Sequence, residues 1–338
     1  MILGAIIILL LMNFFILKNY YLISKFFNIY DYPNNRKIHN VKTPLIGGVI
    51  FFINLTFFLI FFEFETNYYN QKYNLLLEKR EIYLYFVFST IIFLIGLIDD
   101  KIDLNPYLKL FFLGLSIFIF LILCKSALIT ELNFSFFEKP IHLGKYSYFF
   151  TTLCFLLFIN SSNMFDGINL QSGIFFFIFL TALIVLGAID FFILLIIISL
   201  ICFLILNSKG KIFMGDSGIF LYSFTLGFLS IKIYNLDIIK NVEIIFILMM
   251  VPGIDMLRLF IVRIYNKKSP FRPDNLHIHH LLLNKFNYSK TILILFFLIT
   301  IPFVTFLLGL KSYLVIIVYL IFYLIFLNQL SYIKNKLE

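Results

Sequence analysis

Long apolar runs broken by short polar segments repeat along the whole 338-residue chain. A bilayer-spanning helix needs roughly 20 mostly apolar residues. Runs of that kind centre near Leu10, Asn54, Ile91, Ile117, Phe155, Ile178, Ile197, Leu226, Leu248, Phe296 and Tyr319. The pattern predicts an all-α, polytopic integral membrane protein with about ten or eleven transmembrane helices. The soft point is the short turn at 187–190, between the runs centred on Ile178 and Ile197. No polar stretch is long enough for an independent soluble domain, so 1–338 reads as a single integral membrane domain. The first run has no basic leader and no small-residue cleavage site, and it reads as a retained helix. No internal repeat of the inverted-transporter kind is visible.

Composition sharpens this picture. Mean hydropathy is +1.00, and only 13% of residues are charged. A soluble enzyme with one anchor is excluded. The net charge of +9 is scattered over short loops, which excludes a nucleic-acid partner and leaves the lipid bilayer as the surrounding medium. With the amino terminus outside, the loops at 25–43, 99–109, 160–171, 207–217 and 263–290 face the cytoplasm, as does the tail 331–338. With Lys18 and Arg258 at inner span ends added, about 18 of the 27 Lys and Arg then lie inside, as the positive-inside rule requires. Cys124, Cys154 and Cys202 lie in or near apolar runs at unrelated spacings and suggest neither disulfides nor zinc.

The same orientation gathers four acidic or histidine motifs on one side. Ionisable residues beside apolar spans are costly and mark functional candidates. Asp99 and Asp100 end the third span, at a helix carboxyl end that already disfavours acids. Mg2+, Lys101 or Lys109 must compensate them, unless they form an ordinary solvated turn. Asp216 lies between Gly215 and Gly218, where the backbone can approach a phosphate closely. The span that follows begins near Gly218, so its free amides are expected to face an anion.

Asn160 and Asn163 share a helix face at i, i+3, and Asp166 continues it if the helix persists. Amides and a carboxylate on one cavity suit a nucleobase or sugar; helix capping is the competing reading. His277, His279 and His280 follow a proline-stiffened loop. Their spacing is not that of a helical zinc pair, and Arg272 and Lys268 favour an anion reading, with the imidazoles donating to phosphate or sugar oxygens. Asp255 and Arg258, three apart, read as a structural ion pair. Arg36, Lys37, His39 and Lys42 form a basic inner loop ahead of Gly47 and Gly48, suited to anchoring or to phosphate.

Taken in order, these motifs resemble the polyprenyl-phosphate N-acetylhexosamine-1-phosphate transferases, the MraY/WecA type of glycosyltransferase family 4. The resemblance runs from about Asp31 to Leu283. It is carried by Asp31-x-Pro33-x-x-Arg36-Lys37-x-His39 with Thr43-Pro44-x-x-Gly47-Gly48, by Gly96-x-x-Asp99-Asp100, and by Asn160-x-x-Asn163-Met164-x-Asp166-Gly167. Phe213-Met214-Gly215-Asp216-x-Gly218 and His277-x-His279-His280 complete it.

The resemblance implies transfer of a sugar-1-phosphate from a UDP-sugar to undecaprenyl phosphate, with release of UMP. It implies a bacterial cytoplasmic membrane, a site facing the cytoplasm and Mg2+ as cofactor, with Mn2+ able to substitute. Asp216 matches the metal ligand, and Asp99 and Asp100 match a pair that engages the lipid phosphate or the metal. All three are therefore catalytic and metal candidates. Asn163, Asp166, Asn207 and Phe213 match positions around the uridine, with Phe213 stacking on uracil. His279 and His280 match a histidine loop near the donor's phosphates and sugar. His39, Lys42, Asn160, Arg272 and His277 complete the substrate-binding expectation. Two departures stand out: Ile219 replaces a usual serine, and Asn169 is followed directly by Leu170 where the pattern has glycine. The HxHH pattern and the span count resemble the WecA branch, so UDP-GlcNAc is the expected donor. A UDP-N-acetyl-deoxysugar and UDP-MurNAc-pentapeptide are the alternatives, and a transporter or lipid flippase is the competing class. A homodimer is one assembly open to it.

Overall fold

The computed structural model describes residues 2–33, 41–65, 79–272 and 274–337. Each of the eleven expected centres falls in a helix of its own. In chain order these are α1 (Ile2–Phe27), α2 (Gly47–Glu65), α3 (Lys79–Ile102), α4 (Pro106–Leu123), α5 (Ser147–Phe165), α6 (Gln171–Val185), α7 (Phe191–Asn207), α8 (Gly215–Asn235) and α9 (Val242–Tyr265). A short α10 (Ile278–Leu283), not foreseen, precedes α11 (Tyr288–Leu307) and α12 (Ser312–Leu337). Among the described residues, eight helices are long and apolar enough to cross a membrane; 47–61, α6 and α7 are shorter apolar helices.

Helices dominate because a backbone in lipid must satisfy its own hydrogen bonds. Polar residues mark the boundaries. Asn105 accepts from Tyr107 N at 2.9 Å, with Pro106 opening α4. Asp190 accepts from Phe192 N at 2.7 Å and starts α7. Gly187, at φ +105°, ends the chain's passage out of α6, so the soft boundary is a true break.

The buried α8 is the axis of the bundle, enclosed by α2, α3 and α5. Helices in lipid gain little from hydrophobicity alone and rely on close approach and polar links. A Cβ on Gly48 would lie 2.5 Å from Gly218 N, and one on Gly96 would lie 2.5 Å from Ser217 Cα. Polar links reinforce this contact. Tyr85 and Thr225 hydroxyls meet at 2.6 Å. Asn13 and Asn54 exchange side-chain amide bonds of 2.7 and 3.1 Å and tie α1 to α2.

The two ends of the bundle differ. At one, β3 (Glu131–Leu132) pairs with β4 (Ile141–His142), and Lys232 holds Glu81 at 2.9 Å. At the other, β1 (Tyr30–Asp31) pairs antiparallel with β2 (Thr43–Pro44). Leu45 then bridges to Phe213, while Gly47 N donates to Phe213 O at 3.1 Å and Gly48 N to Met214 O at 3.2 Å. These bonds fix where α8 begins, and the acidic motifs gather there.

Candidate active site

Three helix ends meet at this end of the bundle. The last turns of α3 carry Asp99 and Asp100, the first turn of α4 carries Lys109, and the first turn of α8 carries Asp216. Lys109 Nζ lies 2.5 Å from Asp99 Oδ2 and 3.0 Å from Asp216 Oδ2, so one ammonium serves two carboxylates. Leu104 N also donates to Asp99 Oδ1, at 2.8 Å. Asp99 is buried and Asp216 partly open. Of the expected compensating cations, Lys109 takes the role. The sequence pointed to it only as a counter-charge, because a lysine early in a span also fits simple interfacial anchoring.

Asp100 sits differently from its neighbour. Its Oδ1 accepts from Asp216 N at 2.7 Å and its Oδ2 from Ser217 N at 3.1 Å. The free amides of α8 therefore face an anion, as expected, but that anion is a side chain of α3. The helix also begins at Gly215 and not near Gly218. Gly215 has φ +72°, and a Cβ there would lie 2.8 Å from Asp100 Oδ2. Glycine is required at this position for both reasons.

α5 ends at Phe165, and Asp166 caps it with its N donating to Asn163 O at 3.2 Å. Asn160 and Asn163 share one face as predicted, and both line a small open cleft with Pro106, Lys109, Phe220 and Phe271. Ser172 Oγ donates to Asp166 Oδ1 at 2.5 Å. Loss of water pushes the Asp166 carboxyl up to about 6; the Ser172 bond opposes this, and the nearby Asp100 charge adds to it.

Asn207 is a hub between loops. It accepts from Leu170 N at 2.6 Å and donates to Ile212 O at 2.8 Å and Asn169 Oδ1 at 3.3 Å. Leu170 stands at φ +70°, the left-handed conformation that the expected glycine would adopt without strain. Phe213 is tied by its backbone to Pro44 O (2.9 Å) and Gly47 N.

The histidine loop is clamped from α9 and α12. Asp255 accepts from Arg258 at 2.8 Å and lies 3.2 Å from His277 Nδ1, and Tyr323 OH donates to it at 3.3 Å. Arg258 also donates to Leu276 O at 2.6 Å. The Asp255–Arg258 pair is thus structural, as read, but it also orients the loop. Arg263 bonds Asp274 Oδ2 at 2.8 Å and Pro270 O at 2.5 Å. Burial pushes the Asp274 carboxyl up, yet the Arg263 bond, the Leu276 amide and nearby cationic charge outweigh it and hold it low.

His279 is only 2% exposed, beneath Gly167. Burial, then the neighbouring His280 and His277, push its pKa well below the usual imidazole value. His280 is lowered for the same leading reason. Arg272 is exposed on the loop. Lys42 lies over the Tyr30 and Tyr32 rings at 3.8 and 4.9 Å. His39 lies outside the described residues.

The structure thus brings together Asp99, Asp100, Asp166 and Asp216 from three separate motifs. Among the described residues no three His, Cys, Asp or Glu side chains form a metal cage. Mg2+ rarely uses such a cage; it takes one or two carboxylates and completes its shell with water and substrate phosphates. Asp216 and Asp99 fit that donor set, and three carboxylates against one ammonium leave room for further positive charge.

Comparison with known proteins agrees with the resemblance read from the motifs. Residues 82–234, from α3 through α8, match the model for glycosyl transferase family 4. The chain is 29% identical over 287 residues to an undecaprenyl-phosphate alpha-N-acetylglucosaminyl 1-phosphate transferase of Thermotoga maritima, covering 84% of this chain and 83% of that one. It is 27% identical over 272 residues to the Salmonella typhi protein of the same name, covering 75% and 68%. It is 29% identical over 267 residues to a probable undecaprenyl-phosphate N-acetylglucosaminyl 1-phosphate transferase of Bacillus subtilis, covering 75% and 69%.

Proposed function

We propose that this chain, a relative of glycosyl transferase family 4, transfers N-acetylglucosamine-1-phosphate from UDP-N-acetylglucosamine to undecaprenyl phosphate at the inner face of a bacterial cytoplasmic membrane. The observation that carries the reading is the single Lys109 ammonium shared by Asp99 and Asp216, beside a cleft lined by Asn160 and Asn163. The names of the relatives supply the acceptor, undecaprenyl phosphate, and the transferred group, N-acetylglucosamine 1-phosphate.

An oxygen of the lipid phosphate attacks the phosphorus that bears the sugar. The bond from that phosphorus to the bridging oxygen breaks, and the bridging oxygen leaves with UMP. The product is a lipid-linked pyrophosphoryl sugar. A phosphate monoester, with a second pKa of about 6, is already largely ionised at neutral pH, so the attacking oxygen needs no strong base. Phosphoryl transfer of this kind depends on positioning and charge neutralisation.

The residues divide that work. Lys109 offsets repulsion between two anionic substrates. The apolar wall of Pro106, Leu110, Leu113 and Phe220 suits the lipid end of the acceptor. The Asn160 amide suits the sugar, and Asn163, Asp166, Asn207 and Phe213 the uridine side. His277, His280 and Arg272, with the inner-loop His39 and Lys42, suit the donor's phosphates. Asp216 and Asp99 would hold Mg2+, with Mn2+ as its substitute. When bound, the ion neutralises charge that builds on phosphate oxygens.

The test is UMP release by the purified full chain given UDP-N-acetylglucosamine, undecaprenyl phosphate and Mg2+. Folded protein that releases no UMP from any UDP-N-acetylhexosamine would end the proposal.

A further inference from the structure

The two adjacent carboxylates of α3 have different surroundings, and the difference assigns them different work. Asp99 faces Lys109, and through it Asp216. Asp100 faces backbone, where each of its oxygens accepts a hydrogen bond from one amide of the first turn of α8. Those amides have no partner within α8, since the first four N–H groups of any helix lack one. An N-terminal cap normally comes from the residue just before the helix. Here Met214 precedes α8 and makes no side-chain cap bond.

We propose that Asp100 is a positioning residue: a cap supplied in trans from α3 that seats the first turn of α8 and so aims the Asp216 carboxylate. It would not be a ligand of the metal. The inference rests on the reading above that Asp216 holds the ion.

Three observations support it. First, the pair of bonds is two-pronged and runs to consecutive amides, one of them that of Asp216 itself. Secondly, the surroundings are shaped to admit the carboxylate. Gly215 presents a bare Cα where a Cβ would lie 2.8 Å from Oδ2 and 3.1 Å from Oδ1, and Gly96 lets α3 approach Ser217 closely. Thirdly, the electrostatics agree. The amino end of a helix carries about half a positive charge, which a carboxylate offsets. The same placement relieves Asp100 of the unfavourable carboxyl end of its own helix. Asp99, one residue earlier on a helix that turns about 100° per residue, points to Lys109 instead.

The experiment measures two quantities on the purified full-length chain. One is amide hydrogen–deuterium exchange over 212–222 in metal-free protein. The other is Mn2+ binding followed by its paramagnetic resonance spectrum. The expected result is that Asp100→Asn speeds exchange over 215–219 at least tenfold while Asp99→Asn and Asp216→Asn leave it near wild type. Asp100→Ser, which keeps one acceptor oxygen and adds no bulk, gives an intermediate rate. With Asp100→Asn, Mn2+ binds more weakly, yet at saturation its spectrum matches wild type; with Asp99→Asn the spectrum changes. Failure of Asp100→Asn alone to fold, with Asp99→Asn and Asp216→Asn folded, supports the cap if Asp100→Ser speeds exchange over 215–219; unchanged exchange in Asp100→Ser overturns it.

Unchanged exchange in folded Asp100→Asn, or a saturated Mn2+ spectrum that differs from wild type, overturns the proposal. If Asp216→Asn binds Mn2+ as wild type does, the metal reading has failed, while the exchange data still decide whether Asp100 caps α8.

Discussion

Gly167 lies flush against the imidazole of His279, so close that a Cβ on the glycine would fall 2.0 Å from Nε2. Two motifs 112 residues apart in the sequence are thus in direct contact. His279 has little room to retreat, because it is buried and the rings of His277 and His280 lie 5.4 and 4.3 Å from it. Gly167→Ala is expected to displace the histidine loop and to cost about 1–3 kcal/mol, as overpacking does. Thermal unfolding of the two proteins, with UMP release measured alongside, checks both effects.

The pH dependence of stability has opposite signs at the two sides of this contact. Burial raises Asp166 from 3.8 to about 6. The folded chain therefore holds this proton more tightly than the unfolded chain. Its favourable contribution is complete below 3.8 and is lost as pH rises through 6. Asp166→Asn should exceed wild type in stability at pH 8 by up to about 3 kcal/mol, with the gap closing toward pH 4. His279 is shifted downward by burial, so its contribution is present above 6.5 and fades as pH falls toward its folded value. Denaturation curves at several pH values for wild type, Asp166→Asn and His279→Gln separate the two trends. A wild-type–Asp166→Asn difference that does not vary with pH would remove the burial argument.

Leu170 accepts a conformation that suits glycine. Its φ of +70° costs a side-chain-bearing residue about 1–2 kcal/mol, and its amide is held there by Asn207 at 2.6 Å. Glycine in its place escapes that cost but loses about 0.5–1 kcal/mol of chain entropy. Leu170→Gly should therefore be as stable as wild type or more so, by up to about 1.5 kcal/mol, whereas Leu170→Val should be less stable. Thermal melts of the three proteins give the order directly.

The departure at Leu170 was visible in the sequence; its consequence was not, because the φ angle depends on how α6 and α7 meet. The same holds more widely. Each of the eleven centres fell in a helix of its own because hydropathy is a local property that each span carries alone. Asn160 and Asn163 came out on one face because helical spacing is local too. Asp99 and Asp100 were legible as a costly pair, but their separate partners lie on α4 and α8 and no local pattern announces them. The burial of His279 and the Asp255 clamp on His277 were hidden for the same reason. Asp255 offered one signal, a carboxylate inside an apolar span, which also suits a plain ion pair with Arg258.

Lys109 carries the charge balance of the site, and removing it tests that balance. Lys109→Met leaves Asp99 and Asp216 facing each other without the shared ammonium. Breaking a largely buried pair from one side costs about 3–5 kcal/mol at most, and less here because Lys109 is 18% exposed. Lys109→Met should lower thermal stability and reduce UMP release at least about 100-fold, the scale of removing a group that neutralises charge in transfer. Asp99→Asn in the same background should recover part of the stability and none of the activity. A single variant that keeps wild-type turnover would show that the shared ammonium plays no part in the reaction.

The ion pair at the opposite end of the bundle provides the contrasting case. Lys232 on α8 bonds both oxygens of Glu81 on α3, at 2.9 and 3.0 Å, and Ser126 also donates to Glu81. The pair crosses the same α3–α8 contact as Asp100, but about 24 Å along the helix from Asp216 at 1.5 Å per residue. Burial makes the pair costly to break and cheap to replace. Glu81→Gln should destabilise by about 3–5 kcal/mol, because it strands a buried ammonium. Glu81→Leu with Lys232→Met removes both charges and should be neutral or stabilising by about 1–4 kcal/mol, with Ser126 turning to solvent. Turnover per folded molecule should match wild type in the double variant, since neither side chain touches the site. A double variant that folds well but loses activity would show that the α3–α8 register is transmitted from this end to Asp216. The Lys232 pair would then be part of what aims that carboxylate.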